Sequence, residues 1–150
     1  MPTVLAASAL LVVLTAFFHY EVLRGLNNGL PRLRVPDRFK LLVVIMVAFC
    51  AHALEIFLYG LALYVLIAVL GAGSLAGAPG TLFTSCLYFS AETYTSLGFG
   101  DLTPVGPIRL LAGVEALNGL LLIGWSASFT YISMERFWST QPESPEHRRR

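Results

Sequence analysis

Three stretches of this chain are too apolar to face water, and a fourth, set between the last two, is too short to cross a membrane. Met1 to Phe18 carries no charged side chain. Leu41 to Leu70 has only His52 and Glu55 as basic or acidic side chains, and Leu110 to Met134 only Glu115. The charge content, 13% of 150 residues, is about half that of a soluble domain. As a helix, Leu41 to Leu70 would reach about 45 Å, more than the roughly 30 Å of a hydrocarbon core, so it must tilt or project beyond it. Thr81 to Tyr94 would reach only about 20 Å. Irregular backbone survives at membrane depth only when buried in protein or lining a watery cavity. A short helix followed by a glycine-containing strand is therefore expected to be re-entrant. The glycine-rich stretch 71–80 breaks the preceding helix, and Thr81 is placed to cap the next one.

Charge sets the expected orientation. Arg24, Arg32, Arg34, Arg38 and Lys40 lie between the first two runs, opposed only by Glu21 and Asp37. Arg136 and Arg148 to Arg150 follow the last run, and of the 10 basic residues only Arg109 lies elsewhere. The positive-inside rule puts both regions in the cytoplasm, so three spans leave the N-terminus outside. Met1 to Phe18 reads as an uncleaved span, not a signal peptide, because no Lys or Arg precedes Arg24. The basic linker, broken by Pro31 and Pro36, is suited to anionic lipid headgroups. Cys50 and Cys86 read as buried apolar residues without a disulfide framework. Phe137 and Trp138 are expected at the inner interface, and the polar tail is expected to be disordered.

The stretch Tyr94-Thr95-Ser96-Leu97-Gly98-Phe99-Gly100-Asp101 carries the chemistry. Carbonyls replace the water around a bare cation only if several point at one spot. Successive carbonyls can face one axis only if the backbone alternates in hand, and Gly98 and Gly100 allow this without a Cβ penalty. Thr95 and Ser96 add hydroxyls at the inner end.

From Ser90 to Pro104 the sequence resembles the pore helix and selectivity filter of potassium channels, which usually read Thr-Val-Gly-Tyr-Gly-Asp. Ser96 stands for the threonine, Leu97 for the valine and Phe99 for the tyrosine; both glycines and Asp101 are kept. The resemblance covers Tyr88 to Thr130 well and the outer helix loosely. It implies an all-α membrane protein: three transmembrane helices with a re-entrant pore helix and filter, assembled as a tetrameric pore around a four-fold axis. The expected division is an N-terminal helix at 1–20, a basic linker at 21–40, a pore domain at 41–135 and a polar tail at 136–150. Within the pore domain it implies an outer helix at 41–70, a pore helix at 81–94, a filter at 95–101 and an inner helix at 107–135. Potassium would bind at Ser96, Leu97, Gly98 and Phe99, within a filter that includes Thr95 and Gly100. Glu92 and Asp101 would pair behind the filter, although Asp101 also reads as a vestibule acid. Tyr88 and Phe89 match the aromatics of the pore helix, as a brace or as lipid-facing packing. Gly119 and Gly124 are hinge candidates, with close helix packing the equal alternative. The likeness to small prokaryotic channels implies the inner (plasma) membrane.

His52 and Glu55 share a helix face, with Glu115 a candidate partner from the last run. The cluster reads as a structural link between helices or as a proton sensor. Asn118 faces a cavity or bonds a neighbouring helix. Ser126, Ser128 and Thr130 bond their own helix or line a pathway, and Trp125 is expected against the pore helix. No segment repeats arginine at every third position, which argues against a charged voltage sensor. No nucleophile-base pair or His-Glu-x-x-His site is present, so no enzyme, cofactor or nucleic-acid partner is expected, only transported ions. The readings are a potassium channel, a weakly selective monovalent cation channel, or a non-conducting membrane scaffold with a channel fold.

Overall fold

The computed structural model describes residues 1–77 and 80–138, apart from the side chains of Phe137 and Trp138. The tail from 139 and the expected interfacial belt of Phe137 and Trp138 lie outside the described residues. The elements are α1 (Pro2–Gly29), a 3-10 turn (Leu30–Arg32), α2 (Asp37–Ala68), β1 (Ser74–Ala76), α3 (Leu82–Tyr94), β2 (Thr103–Val105) and α4 (Ile108–Trp138). α1, α2 and α4 are long and apolar enough to cross a membrane. α3 has 13 residues and is not.

α1 starts with Pro2 in its first turn, where a missing N–H costs nothing. It runs to Gly29, so Glu21 and Arg24 are helical and form an i,i+3 ion pair at 3.2 Å, beyond the expected end at residue 20. Pro31 and Pro36 bracket the break, and α2 begins directly after Pro36. Val4, Ser8, Leu11, Thr15, His19, Leu23 and Leu26 form the buried face of α1, at the three-to-four-residue spacing of a helix stripe. That face packs against α4 and α2. The opposite face leaves Leu10, Val13 and Phe17 exposed, as hydrocarbon contact requires.

The expectation of an all-α chain needs one correction. β1 and β2 pair antiparallel, Leu75 opposite Pro104, and form a small sheet between the end of α2 and the start of α4. Glycine makes this possible at two points. A Cβ on Gly73 would collide with the Val105 carbonyl, and one on Gly77 with the Asp101 carbonyl. The sheet thereby fixes the segment after residue 101 to the stretch that follows α2.

Thr81 caps α3, accepting from the Thr84 N–H at 3.4 Å. α3 wedges between α2 and α4, with Cys86, Phe89 and Tyr94 in the main apolar core beside Tyr59, Leu63, Ile108 and Leu111. Gly60 lets α2 close on α3: a Cβ there would lie 3.0 Å from the Leu87 Cα.

Polar pins join the spans. Asn118 on α4 donates to Thr15 on α1 at 2.9 Å and to Tyr59 on α2 at 3.1 Å, so it bonds neighbouring helices. Bonds of this kind contribute about 0.6 kcal/mol each in a membrane. Asn118→Leu should therefore lower stability by about 1 kcal/mol, measured by denaturant unfolding in mixed micelles; an unchanged midpoint would show that the bonds do not hold α1 in place.

Candidate functional site

The chain leaves α3 inside the fold and turns at once. Thr95 keeps a right-handed conformation, and Ser96 then takes φ 57°. Gly98 follows at φ 53° and Gly100 at φ 80°. Every second residue from 96 to 100 is thus left-handed, and Ser96 is the sole non-glycine with positive φ among the described residues. It occupies the position just past a helix end where left-handed geometry usually recruits glycine. Its N–H donates to the Thr93 carbonyl at 3.0 Å, which holds the turn.

The donors of this segment point back toward the helix. The Leu97 and Gly98 N–H groups both donate to the Glu92 carbonyl, at 2.9 and 3.3 Å. The Thr95 hydroxyl donates to the Ala91 carbonyl at 2.7 Å. Among the described residues, no hydrogen bond ends on the carbonyl of Ser96, Leu97, Gly98 or Phe99. The first donors of this segment, through Gly98, are thus spent inward, while the carbonyls of residues 96 to 99 stay free. Leu97 and Phe99 are 59% and 67% exposed in the single chain.

Behind this segment Glu92 is buried, and its Oε1 has no partner within the chain. Asp101 accepts from the Leu102 N–H at 3.1 Å. No hydrogen bond joins the two acids; Tyr88 lies within electrostatic reach of both. Tyr88 also lines a cavity with Thr84, Ser85, Asp101 and Leu102. Tyr88 is 42% exposed and Phe89 buried, so these neighbours face different environments.

The two hinge candidates separate. A Cβ on Gly119 would fall inside contact distance of the Tyr94 carbonyl oxygen, so this glycine is where α4 meets the end of α3. Gly124 has open space around it in the chain.

The expected His52, Glu55 and Glu115 cluster is split. Glu115 is buried beside Ser90, whose hydroxyl lies 2.5 Å from Glu115 Oε1 and donates to the Ile56 carbonyl at 2.8 Å. His52 and Glu55 meet other partners. Glu55 Oε2 lies 3.1 Å from His52 Nδ1, and Oε1 lies 2.9 Å from His19 Nδ1 on α1. The Tyr94 hydroxyl donates to Glu55, and Ser126 on α4 sits between the two imidazoles, 3.0 Å from His19 Nε2 and 3.1 Å from His52 Nε2. All four helices thus meet at one polar knot. His19, absent from the sequence-based expectation, is fully buried there. Its signal was its place on the face of Ser8 and Thr15, in a helix otherwise polar only at its ends. Trp125 packs its ring against His19 and Tyr20 of α1, at 5.7 and 6.3 Å, and not against α3 as expected. Ser128 and Thr130 bond carbonyls of their own helix.

Three membrane-length helices holding a half-length helix, with a strand of free carbonyls at its end, define an integral membrane protein organised around a short re-oriented segment. Residues 41–136, 96 of the chain's 150, match the family described as ion channel, and the chain belongs to that family. It is also 39% identical over 59 residues to the inward rectifier potassium channel Kirbac3.1 of Paramagnetospirillum magnetotacticum. The match covers 39% of this chain and 20% of that relative, so the chain spans about a fifth of the relative's length. No solved structure matches it.

The glycine geometry yields a contrast. Gly119→Ala should lower thermal stability in detergent by several degrees because it forces α4 away from Tyr94, whereas Gly124→Ala should stay within about 0.5 kcal/mol of the parent. Equal effects at both positions would show that the α3–α4 approach is not set by Gly119.

Proposed function

We propose that four copies of this chain surround a central axis and conduct potassium passively through residues 95–101. The carrying observation is the alternation of hand at Ser96, Gly98 and Gly100, together with the unbonded carbonyls of residues 96 to 99. One chain supplies one such strand, and a cation leaving water needs oxygens on several sides, so the strand is useful only when repeated about an axis. The exposure of Leu97 and Phe99 in the single chain agrees with a surface that neighbouring copies cover. Kirbac3.1, by its name, is a potassium channel, and that likeness favours potassium as the ion.

In this reading the pore helix is α3, re-entrant from the outside, with its negative helix end toward the axis beneath the strand. α2 is the outer helix and α4 lines the inner cavity. Glu92 and Asp101 support the strand from behind, with Tyr88 between them and Phe89 bracing from the core. The membrane is that of a prokaryotic cell, with the N-terminus outside and the C-terminus in the cytoplasm. Arg24, Arg32, Arg34, Arg38 and Lys40 then lie at the inner leaflet, within reach of anionic lipid. Gly119 acts first as a contact point and, through it, as the place where movement of α4 would be felt at Tyr94.

Reconstituted liposomes test this. Under bi-ionic conditions the reversal potential should favour potassium over sodium. Equal permeability would support a weakly selective channel, in line with the methyl that Ser96 lacks relative to threonine. Gly98→Ala should abolish flux with tetramers intact, because alanine at φ 53° costs roughly 1–2 kcal/mol per chain and is repeated around the ring. Flux indifferent to that substitution would remove residues 95–101 from the pathway.

A further inference from the structure

Four buried or half-buried side chains close a ring. Going round it, His19 Nδ1 meets Glu55 Oε1 at 2.9 Å, and Glu55 Oε2 meets His52 Nδ1 at 3.1 Å. His52 Nε2 meets Ser126 Oγ at 3.1 Å, and Ser126 Oγ meets His19 Nε2 at 3.0 Å. Each of these four contacts takes one hydrogen. A neutral imidazole brings one N–H, serine one O–H and a carboxylate none. That makes three hydrogens for four contacts. Tyr94 does not supply the fourth, because its hydroxyl hydrogen is directed at Glu55. With three hydrogens, one ring nitrogen must face its neighbour lone pair to lone pair. At His52 this would set Nδ1 against both the Glu55 oxygen at 3.1 Å and the Tyr94 oxygen at 2.9 Å.

Charge leads to the same conclusion. Glu55 is fully buried in the middle of a membrane-length helix. The ionisable groups that face it are His19 from α1, His52 and Tyr59 from α2 and Tyr94 from α3. None of these is a lysine or arginine, and the acid of α4, Glu115, is engaged elsewhere with Ser90. With the Tyr94 hydroxyl donating to it and an imidazole against each of its oxygens, Glu55 is placed as an acceptor, and a carboxylate in such a place needs one positive charge close by.

We propose that the His19–Glu55–His52–Ser126 ring is a binding site for one proton, held as a single imidazolium that the two histidines share through Ser126 and that balances the ionised Glu55. Ser126 is the positioning residue: it donates to one Nε2 and accepts from the other, so exchanging the two roles moves the charge between α1 and α2. Tyr94, the last residue of α3, joins this site to the strand at 95–101. The hydrogen count stands whether or not that strand conducts, so its outcome is separate from that of the flux measurements.

The test counts hydrogens on nitrogen. With His147→Gln as background, the chain keeps two histidines, His19 and His52. The protein is prepared in lipid nanodiscs with 15N-labelled histidine and a metal chelator at pH 7.5. Nitrogen spectra should show three protonated ring nitrogens out of four. Glu55→Gln brings an amide N–H that fills the fourth contact itself, so this variant should show two, with the rings in opposite tautomers. Two protonated nitrogens in the background protein would overturn the proposal, as would three in Glu55→Gln. Two that are both Nε2–H would overturn it in favour of a metal bound between the Nδ1 atoms and Glu55. The background spectrum decides the matter even if the Glu55→Gln variant does not fold.

Discussion

A helix that stops inside a fold leaves its last carbonyls to be bonded from within the chain. α3 is such a helix, its last residue Tyr94 fully buried, and its neighbours are arranged around its end. The Ala91 carbonyl takes the Thr95 N–H and hydroxyl, the Thr93 carbonyl takes the Ser96 N–H, and the Glu92 carbonyl takes two N–H groups from the strand beyond. The left-handed turn at Ser96 serves this accounting. It folds the donors of the next residues back onto the helix, and the acceptors of those residues are left over. The same turn that satisfies the helix end therefore produces the row of free carbonyls on which ion passage would depend.

Holding that end in place falls to Tyr94. Its ring and backbone work in opposite directions: the hydroxyl reaches Glu55 on α2, and the carbonyl rests on Gly119 of α4. The β1–β2 sheet performs the matching task at the other end of the strand, where Gly77 lies against the backbone of Asp101. Residues 95–101 are thus fixed at both ends by neighbours far away in sequence, while the middle is left open. A segment whose own residues make few lateral contacts has to be positioned from its ends.

Much of this could be read from residue order. The three apolar runs, the short helix and the need for handedness changes at Gly98 and Gly100 follow from length, charge and the lack of a Cβ. Other features could not be read. Helix α1 continues to Gly29 because its last turns pack Leu23 and Leu26 against Val44 and the region of Phe129, a tertiary contact that composition does not announce. The two strands are three residues each and rely on glycine-permitted backbone approach, which carries no periodic signal. Ser96 breaks the preference for glycine at positive φ because its helix-end hydrogen bond holds it there. Glu115 does not pair with His52 because α4 presents Ser126, eleven residues further on, at the level of the histidine, about three turns away from Glu115. His19 is not legible in the sequence because a lone imidazole at the edge of an apolar run looks like a boundary residue until its partner helix is known.

α1 covers the side of α2 that carries Glu55, with His19 seated on the acid. Without that cover, α2 would present a carboxylate to hydrocarbon, an exposure that membrane helices avoid. The first helix is therefore better understood as a chaperoning partner for the second than as an appendage to a two-helix core. Since α1 precedes α2 in the chain, it is already available when the acid-bearing helix leaves the insertion machinery, and synthesis order alone brings the His19 imidazole to the bilayer ahead of the acid it bonds.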